Sequence, residues 1–269
     1  MLEYLLSHYA LVRLAAFLLL CTSIGLAEQF TPRRTSAIRS RWFTNLALLG
    51  IDTLIPRLIN ATSLVGIAMV ARRHSLGILP HLGLNDSAQI VLFIVAMDLA
   101  LYWQHRILHI VPILWRVHSV HHADNEFDLT TGVRFHPLEA MFSLAFKAIM
   151  VILCGAPVVA TLFFEVLLNA ASLFNHSNIR LATNLDRALR SFVVTPDMHR
   201  IHHSAHSAER ERNFGFFTSV WDRLFGTYQA EPRLPHAFMP LGLKQASGSA
   251  QNSGLWAQLC VPFWPAAEN

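Results

Sequence analysis

The chain has 269 residues, 53% of them hydrophobic and only 14% charged, with a mean hydropathy of +0.39. That balance is unusual for a water-soluble domain, and the apolar residues run together in long blocks, which points to an integral membrane protein. The net charge of +4 and pI near 9.3 would suit a nucleic-acid binder, but no lysine-rich tract or base-stacking module accompanies the arginines, so nucleic acid is excluded as a partner.

The opening MLEYLLSHYALVRLAAFLLL lacks the basic n-region of a secretory signal and no clear cleavage site follows, so it reads as a retained anchor. A first span covers Ala10 to Ala27, with Arg13 near one end where it can snorkel. The next loop holds Arg33, Arg34, Arg39 and Arg41 without an acidic residue among them, which places it in the cytoplasm and the N-terminus outside. A second apolar block, Phe43 to Ala71, is broken by Asp52 and by Pro56-Arg57; it reads as a kinked span or as a short interfacial piece followed by a span. A third, Ser87 to Trp103, re-enters from outside and delivers His105 and His109 to the cytoplasmic side. Residues 138–175 are apolar but divided at Gly155-Ala-Pro157, which predicts a helical hairpin that enters and leaves by one face and returns His176 to the side of His122 and His136. From Ser177 charge returns and a mainly helical cytoplasmic cap is expected, with GSAQNSG at 248–254 as a flexible connection.

The fold class is therefore all-α: a membrane bundle of about four embedded helices or hairpins under a cytosolic helical cap. The chain divides into an N-terminal anchor region (1–87), a domain carrying the histidine motifs (88–230) and a C-terminal tail (231–269). Cys21, Cys154 and Cys260 form no CxxC pair, which argues against disulfides and thiolate metal sites.

Eight of the fifteen histidines fall into three short words, HRILH at 105–109, HSVHH at 118–122 and HRIHH at 199–203. On a helix, positions i, i+3 and i+4 share a face, so His118, His121 and His122 converge, as do His199, His202 and His203, and likewise His105 with His109. Neutral imidazole is a common ligand for iron and zinc, and eight rings exceed what one ion needs, which suggests two ions in a shared cage. Taken singly, His8, His74, His81, His206 and His236 read as surface or satisfied core residues.

Two helices lead polar stripes into this region: Asp98, Tyr102, His105 and His109 on one, Glu165, Asn169, Ser172 and His176 on the other. An ionisable group in an apolar span must find a partner. Asp98 and Glu165 are read either as helix–helix hydrogen bonds or as carboxylates accepting a ligand histidine N–H. The second stripe adds His176 to the cluster. His136, in RFHPLE, is an additional ligand candidate, with Glu139 as a possible acceptor for a ligand N–H.

At these residues the sequence resembles the fatty acid hydroxylase/sterol desaturase superfamily of membrane di-iron oxygenases, over roughly 95–228. HRILH resembles that family's HxxxH box, and HSVHH and HRIHH its HxxHH boxes; RFHPLE, NHSN, TPDMHRIHH and NFGFFTSVWDRLFGTY are similar to further signatures. The resemblance implies that His105, His109, His118, His121, His122, His176, His199, His202 and His203 bind a dimetal centre, and that Asn213, Trp221 and Asp222 are structural. It implies two iron ions, which zinc can replace on expression, and O2 as co-substrate. It further implies oxidation of a lipid C–H bond, by hydroxylation or desaturation of a fatty acyl, sterol, carotenoid or ether lipid. Electrons are expected from a separate ferredoxin- or cytochrome b5-like donor, since no cytochrome b5-like domain is evident in this chain. The expected location is a bacterial inner membrane or the endoplasmic reticulum, with the histidines on the cytoplasmic face. The main alternative is a membrane metal transporter or metal sensor, which would string its histidines along a path through the bilayer; a b-type haem carrier would pair them within spans.

Overall fold

Hydropathy and helix length set the frame of the computed structural model, which describes residues 7–35, 40–59, 63–243 and 254–263. Its first elements are α1 (Tyr9–Phe30), α2 (Ser40–Leu58), α3 (Leu64–Arg73), α4 (Asp86–Ile110), α5 (Pro112–His122), α6 (Pro137–Cys154) and α7 (Val158–Asn175). Of these, α1, α4, α6 and α7 are long and apolar enough to cross a membrane, so the chain is a multi-pass membrane protein. The 18 residues of α6 or α7 make about 27 Å of helix, close to the roughly 30 Å of a hydrocarbon core. The cap follows as α8 (Thr183–Leu189), α9 (Pro196–His202), α10 (Ser207–Arg210) and α11 (Val220–Leu224), with α12 (Leu255–Cys260) near the end. Among the described residues there is no strand beyond three isolated bridges.

The block from Phe43 to Ala71 becomes two helices, neither of which is long and apolar enough to cross a membrane. Asp52, Pro56 and Arg57 lower the apolarity of α2, and the ten residues of α3 reach only about 15 Å. The pair nevertheless climbs the bundle. At the start of α2, Arg41 meets Asp124 beside the histidine words, and just beyond α3, Ile78 N–H donates to Leu153 O at the opposite end (3.0 Å). That end is closed by two glycines in the left-handed region, Gly77 (φ 83°) and Gly155 (φ 64°); a Cβ on Gly77 would lie 2.1 Å from Gly155 N. From there α4 returns along the bundle and carries the HRILH word in its last turns.

Among the described residues the largest hydrophobic cluster lies in the half away from the histidines, where Leu64, Phe93, Met97, Val151 and Phe164 pack together and the Phe93 and Phe164 rings meet edge to face at 6.0 Å. Helix α1 buries no residue and turns Leu11, Leu14, Leu18 and Leu19 outward, as a lipid-facing helix should. It is pinned at two levels: Glu28 Oε1 accepts from the N–H groups of Leu129 and Asn178, and Arg13 pairs with Glu165 of α7 at 3.0 Å.

Of the arginine-rich loop after α1, Arg39 lies outside the described residues, and the other three arginines are not the unpartnered charges that the sequence suggests. Arg33 pairs with Asp197 at 3.1 Å, Arg34 donates to the carbonyls of His236 and Met239, and Arg41 is held by Asp124 and Asp128. Its partners come from segments more than 80 residues away, which local charge counting does not see. Beyond residue 231 the chain packs back: Met239 and Leu241 join Phe127, and Leu255 and Leu259 cover Leu48 and Val120. Of the GSAQNSG stretch, only Gly254 lies within the described residues.

Candidate metal centre

Three helices and the end of a fourth bring nine imidazoles together. α4 supplies His105 and His109, α5 supplies His118, His121 and His122, α9 with its C-cap supplies His199, His202 and His203, and His176 caps α7. They sort into two groups: His105, His109, His118, His122 and His202, and separately His121, His176, His199 and His203. Within each, one ligand-type nitrogen per ring lies within 4.8 Å of all the others. The groups abut, with the ring centroids of His122 and His203 stacked 4.4 Å apart. Every ring but His105 is buried.

The hydrogen bonds on the outward nitrogens fix what the inward nitrogens carry. Nδ1 of His105 lies 2.9 Å from Phe214 O, that of His121 3.1 Å from Arg134 O, that of His176 2.7 Å from Ser172 O, and that of His202 2.8 Å from Arg212 O. A carbonyl only accepts, so each of these Nδ1 atoms bears the proton and each Nε2 presents a lone pair. Nδ1 of His118 donates to Glu139 Oε1 (2.8 Å), and that of His109 faces Glu211 Oε1 (3.3 Å). Yet the Nε2 atoms of His105 and His202 stand 2.9 Å apart, and those of His121 and His176 3.1 Å. Two lone pairs at that separation repel unless a cation lies between them. Two nitrogens bound at right angles to one ion at about 2.1 Å would be about 3 Å apart. His109 Nε2, His118 Nε2 and both nitrogens of His122 are also buried without a hydrogen-bond partner. The donor set thus fits metal ions of the imidazole-preferring kind.

Burial first, and then neighbouring imidazoles, push His121, His122, His199 and His203 well below the ordinary histidine value. Burial likewise lowers His202 well below it and takes His176 to about 4. Near pH 7 these rings are neutral and able to bind metal.

The other candidates scatter. Glu139, 3% exposed, orients His118. Asp98 makes no hydrogen bond to any of the nine histidines. Its carboxylate accepts from Phe217 N–H, Thr218 N–H and Oγ, and Trp221 Nε1, at 2.6 to 3.3 Å. This folds the loop that presents Phe214 O to His105. Asp222 completes the loop by accepting from Phe214 N–H and Gly215 N–H, and Asn213, at φ 55°, bonds Met198 O and Gln229. Glu165 pairs with Arg13, far from the cage, and His136 caps α6, its Nδ1 accepting from Leu138 N–H while Nε2 meets Leu259 O.

Sequence reasoning missed Glu211 and a buried network behind α5. There Arg41 binds Asp124 at 2.6 Å and also Asp128, and Asn45 accepts from Arg134 Nη1 (2.7 Å). Arg134 in turn donates to Val120 O (2.8 Å) and offers its own carbonyl to His121. The acids of HHADNEFD directly after the second histidine word were the available signal.

The cage opens on a cavity of about 340 Å3 inside the bundle, lined near the metal groups by His105, His118, His121, His176 and His199 and elsewhere largely by apolar side chains such as Phe17, Leu101, Val133 and Leu173.

A family model described as fatty acid hydroxylase matches residues 90–227. An ornithine lipid hydroxylase from Rhizobium tropici is 33% identical over 175 residues, covering 65% of this chain and 50% of that protein. An alkylglycerol monooxygenase from Homo sapiens is 27% identical over 142 residues, covering 51% and 30% respectively. A lathosterol oxidase from Mus musculus is 24% identical over 183 residues, covering 66% and 59%. The chain thus spans half of the ornithine lipid hydroxylase and less than a third of the human alkylglycerol monooxygenase. No solved structure matches the chain.

Proposed function

The chain belongs to the fatty acid hydroxylase family, and on that premise we propose that it is a membrane di-iron oxygenase that oxidises a C–H bond of a lipid, by hydroxylation or desaturation. One observation carries the reading: two adjoining groups of inward-facing imidazole nitrogens open directly on a largely apolar cavity of about 340 Å3. The names of the relatives, all lipid hydroxylases, monooxygenases or sterol oxidases, support the substrate class.

His105, His109, His118, His122 and His202 would hold one ion and His121, His176, His199 and His203 the other. When bound, the two irons supply the electrons and the Lewis acidity for activating O2. In hydroxylation R–H, O2, two electrons and two protons give R–OH and water; in desaturation the same inputs remove two hydrogens from neighbouring carbons and give two waters. The electrons come from a separate carrier of the ferredoxin or cytochrome b5 class. The chain's own part is positional. Glu139 and the carbonyls of Phe214, Arg134, Ser172 and Arg212 lock the ring tautomers, so every Nε2 they control faces inward. The apolar slot excludes water and offers one carbon at the cage. The cap and the basic loop, paired through Arg33 and Asp197, are assigned to the cytoplasmic face. A transporter needs ligands spaced along a path, whereas these nine rings form one compact block.

Comparative lipid profiling under 18O2 of cells with and without the gene tests the reading: a labelled or newly unsaturated lipid is expected, and it should vanish in His121→Ala and His202→Ala together with bound iron. Full product formation in either variant overturns the shared cage.

A further inference from the structure

The slot does not end in apolar walls. Away from the cage it reaches Asp52 of α2, Lys147 of α6 and Asn169 of α7, and these residues also line a second cavity of about 190 Å3 that adds Arg13 of α1 and Glu165 of α7. Four helices therefore bring two cations and two carboxylates together inside an apolar bundle. Chemistry at the cage makes no use of them. If they served only to tie helices, they would satisfy one another, as Arg13 and Glu165 partly do at 3.0 Å. Instead Glu165, 6% exposed, keeps its Oε2 buried without a hydrogen-bond partner, and Asp52 Oδ1 is in the same condition. Both residues line the second cavity, and a buried carboxylate oxygen without a donor is a natural acceptor for an ammonium group, while Lys147 and Arg13 of the same lining can donate to an acid.

Taking the slot as the lipid site proposed above, we infer that Arg13, Asp52, Lys147 and Glu165 form a seat for the headgroup of a zwitterionic lipid. Its ammonium donates to Asp52 and Glu165, its phosphate or carboxylate accepts from Lys147 and Arg13, and its chain runs along the slot to the cage. The geometry also sets a ruler. Lys147 lies eight residues along α6 from Glu139, and Glu165 eleven along α7 from His176, about 12 and 17 Å at helical rise. An extended chain advances roughly 1.2 Å per bond, so the carbon offered to the metals lies about ten to fourteen bonds from the seat.

Equilibrium lipid binding to the metal-loaded full chain in detergent, followed by native mass spectrometry, tests this without turnover. The probes are a phosphatidylethanolamine and the diacylglycerol with the same chains. The wild type should prefer the phosphatidylethanolamine by about tenfold or more. Asp52→Asn and Lys147→Met should each bring the two lipids close to parity while diacylglycerol binding and metal content stay unchanged, and Lys147→Arg should retain the preference. A wild type with no preference overturns the seat even where a variant fails to fold, and variants that lose both lipids equally show a structural role instead. Absence of any oxygenated product would sink the oxygenase reading and leave this measurement standing.

Discussion

Removing the carboxylate behind His118 tests how the chain would hold one of the two proposed ions. Glu139 is 3% exposed, and its Oε1 accepts the His118 Nδ1 proton at 2.8 Å. A buried hydrogen bond to a charged acceptor contributes about 1.5 to 3 kcal/mol. At about 1.4 kcal/mol per tenfold, its loss amounts to roughly ten- to hundredfold in metal affinity, the range seen when such supporting carboxylates are removed elsewhere. Glu139→Ala should approach the upper end, because His118 loses both the partner that orients its ring and the acceptor of its Nδ1 proton. Glu139→Gln, whose amide oxygen can still accept, should fall nearer the lower. The effect should be confined to the ion held with His105, His109, His122 and His202, since the four-histidine group takes its outward bonds from backbone carbonyls at His121 and His176. Competitive titration of the apoprotein against a chelator, with iron counted per chain, reads this out: two ions bound by the wild type and about one by Glu139→Ala at the chelator strength that just spares the wild type. Unchanged affinity in the Ala variant, or equal loss of both ions, would refute the reasoning.

Three further outcomes are expected. Arg41→Gln leaves Asp124 and Asp128, 3% and 4% exposed, without their shared cation, and should cost about 3 to 5 kcal/mol, seen as a lower thermal midpoint in detergent; a loss under about 1 kcal/mol would remove the network from the stability of the site. Gly132→Ala places a Cβ 2.7 Å from Ser172 O and 3.3 Å from His176 Nδ1, so it should shift His176 and lower metal occupancy of the four-histidine group about tenfold, measured by metal analysis; full occupancy would contradict the close approach. His236, pushed by burial to about 4 from an ordinary value near 6.5, is neutral when folded, so its contribution to stability is complete above about pH 6.5 and is lost as the pH falls toward 4, at most roughly 3 kcal/mol. His236→Gln should therefore narrow the drop in thermal midpoint between pH 7 and pH 5, and an unchanged drop would show that the ring is not held neutral.

Much of the site was legible because its grammar is local. The i, i+3, i+4 spacing of HSVHH and HRIHH fixes which rings share a helix face, and the stripe ending at His176 identified a ligand candidate outside the three words; both lie in the groups that the fold assembles. The same stripe logic left two readings open for Asp98 and Glu165, and in the fold both carboxylates tie elements together while neither accepts from one of the nine histidines. Helical periodicity gives the direction in which a side chain points but not what waits there. For Asp98 it is the loop at Phe217 to Trp221, more than 115 residues on, and for Glu165 it is Arg13. His136 likewise turned to cap its own helix, since the Pro137 that starts α6 leaves the preceding side chain next to a free Leu138 N–H.

The sequence by itself therefore determined the membrane class, the apolar stretches that become α1, α4, α6 and α7, the turn at Gly155 and which histidines share a helix face, because hydropathy and helical spacing act over one or two turns. Only the tertiary structure decided how nine rings divide into five and four, which carbonyls and carboxylates set their tautomers, and that the basic loop is tied to Asp124, Asp128 and Asp197. It also decided where the slot runs and that charges from α1, α2, α6 and α7 gather at its far end. Those choices depend on contacts between residues far apart in the chain, and a buried lone pair or charge is indifferent to sequence distance: it accepts whichever partner the packed helices bring within reach.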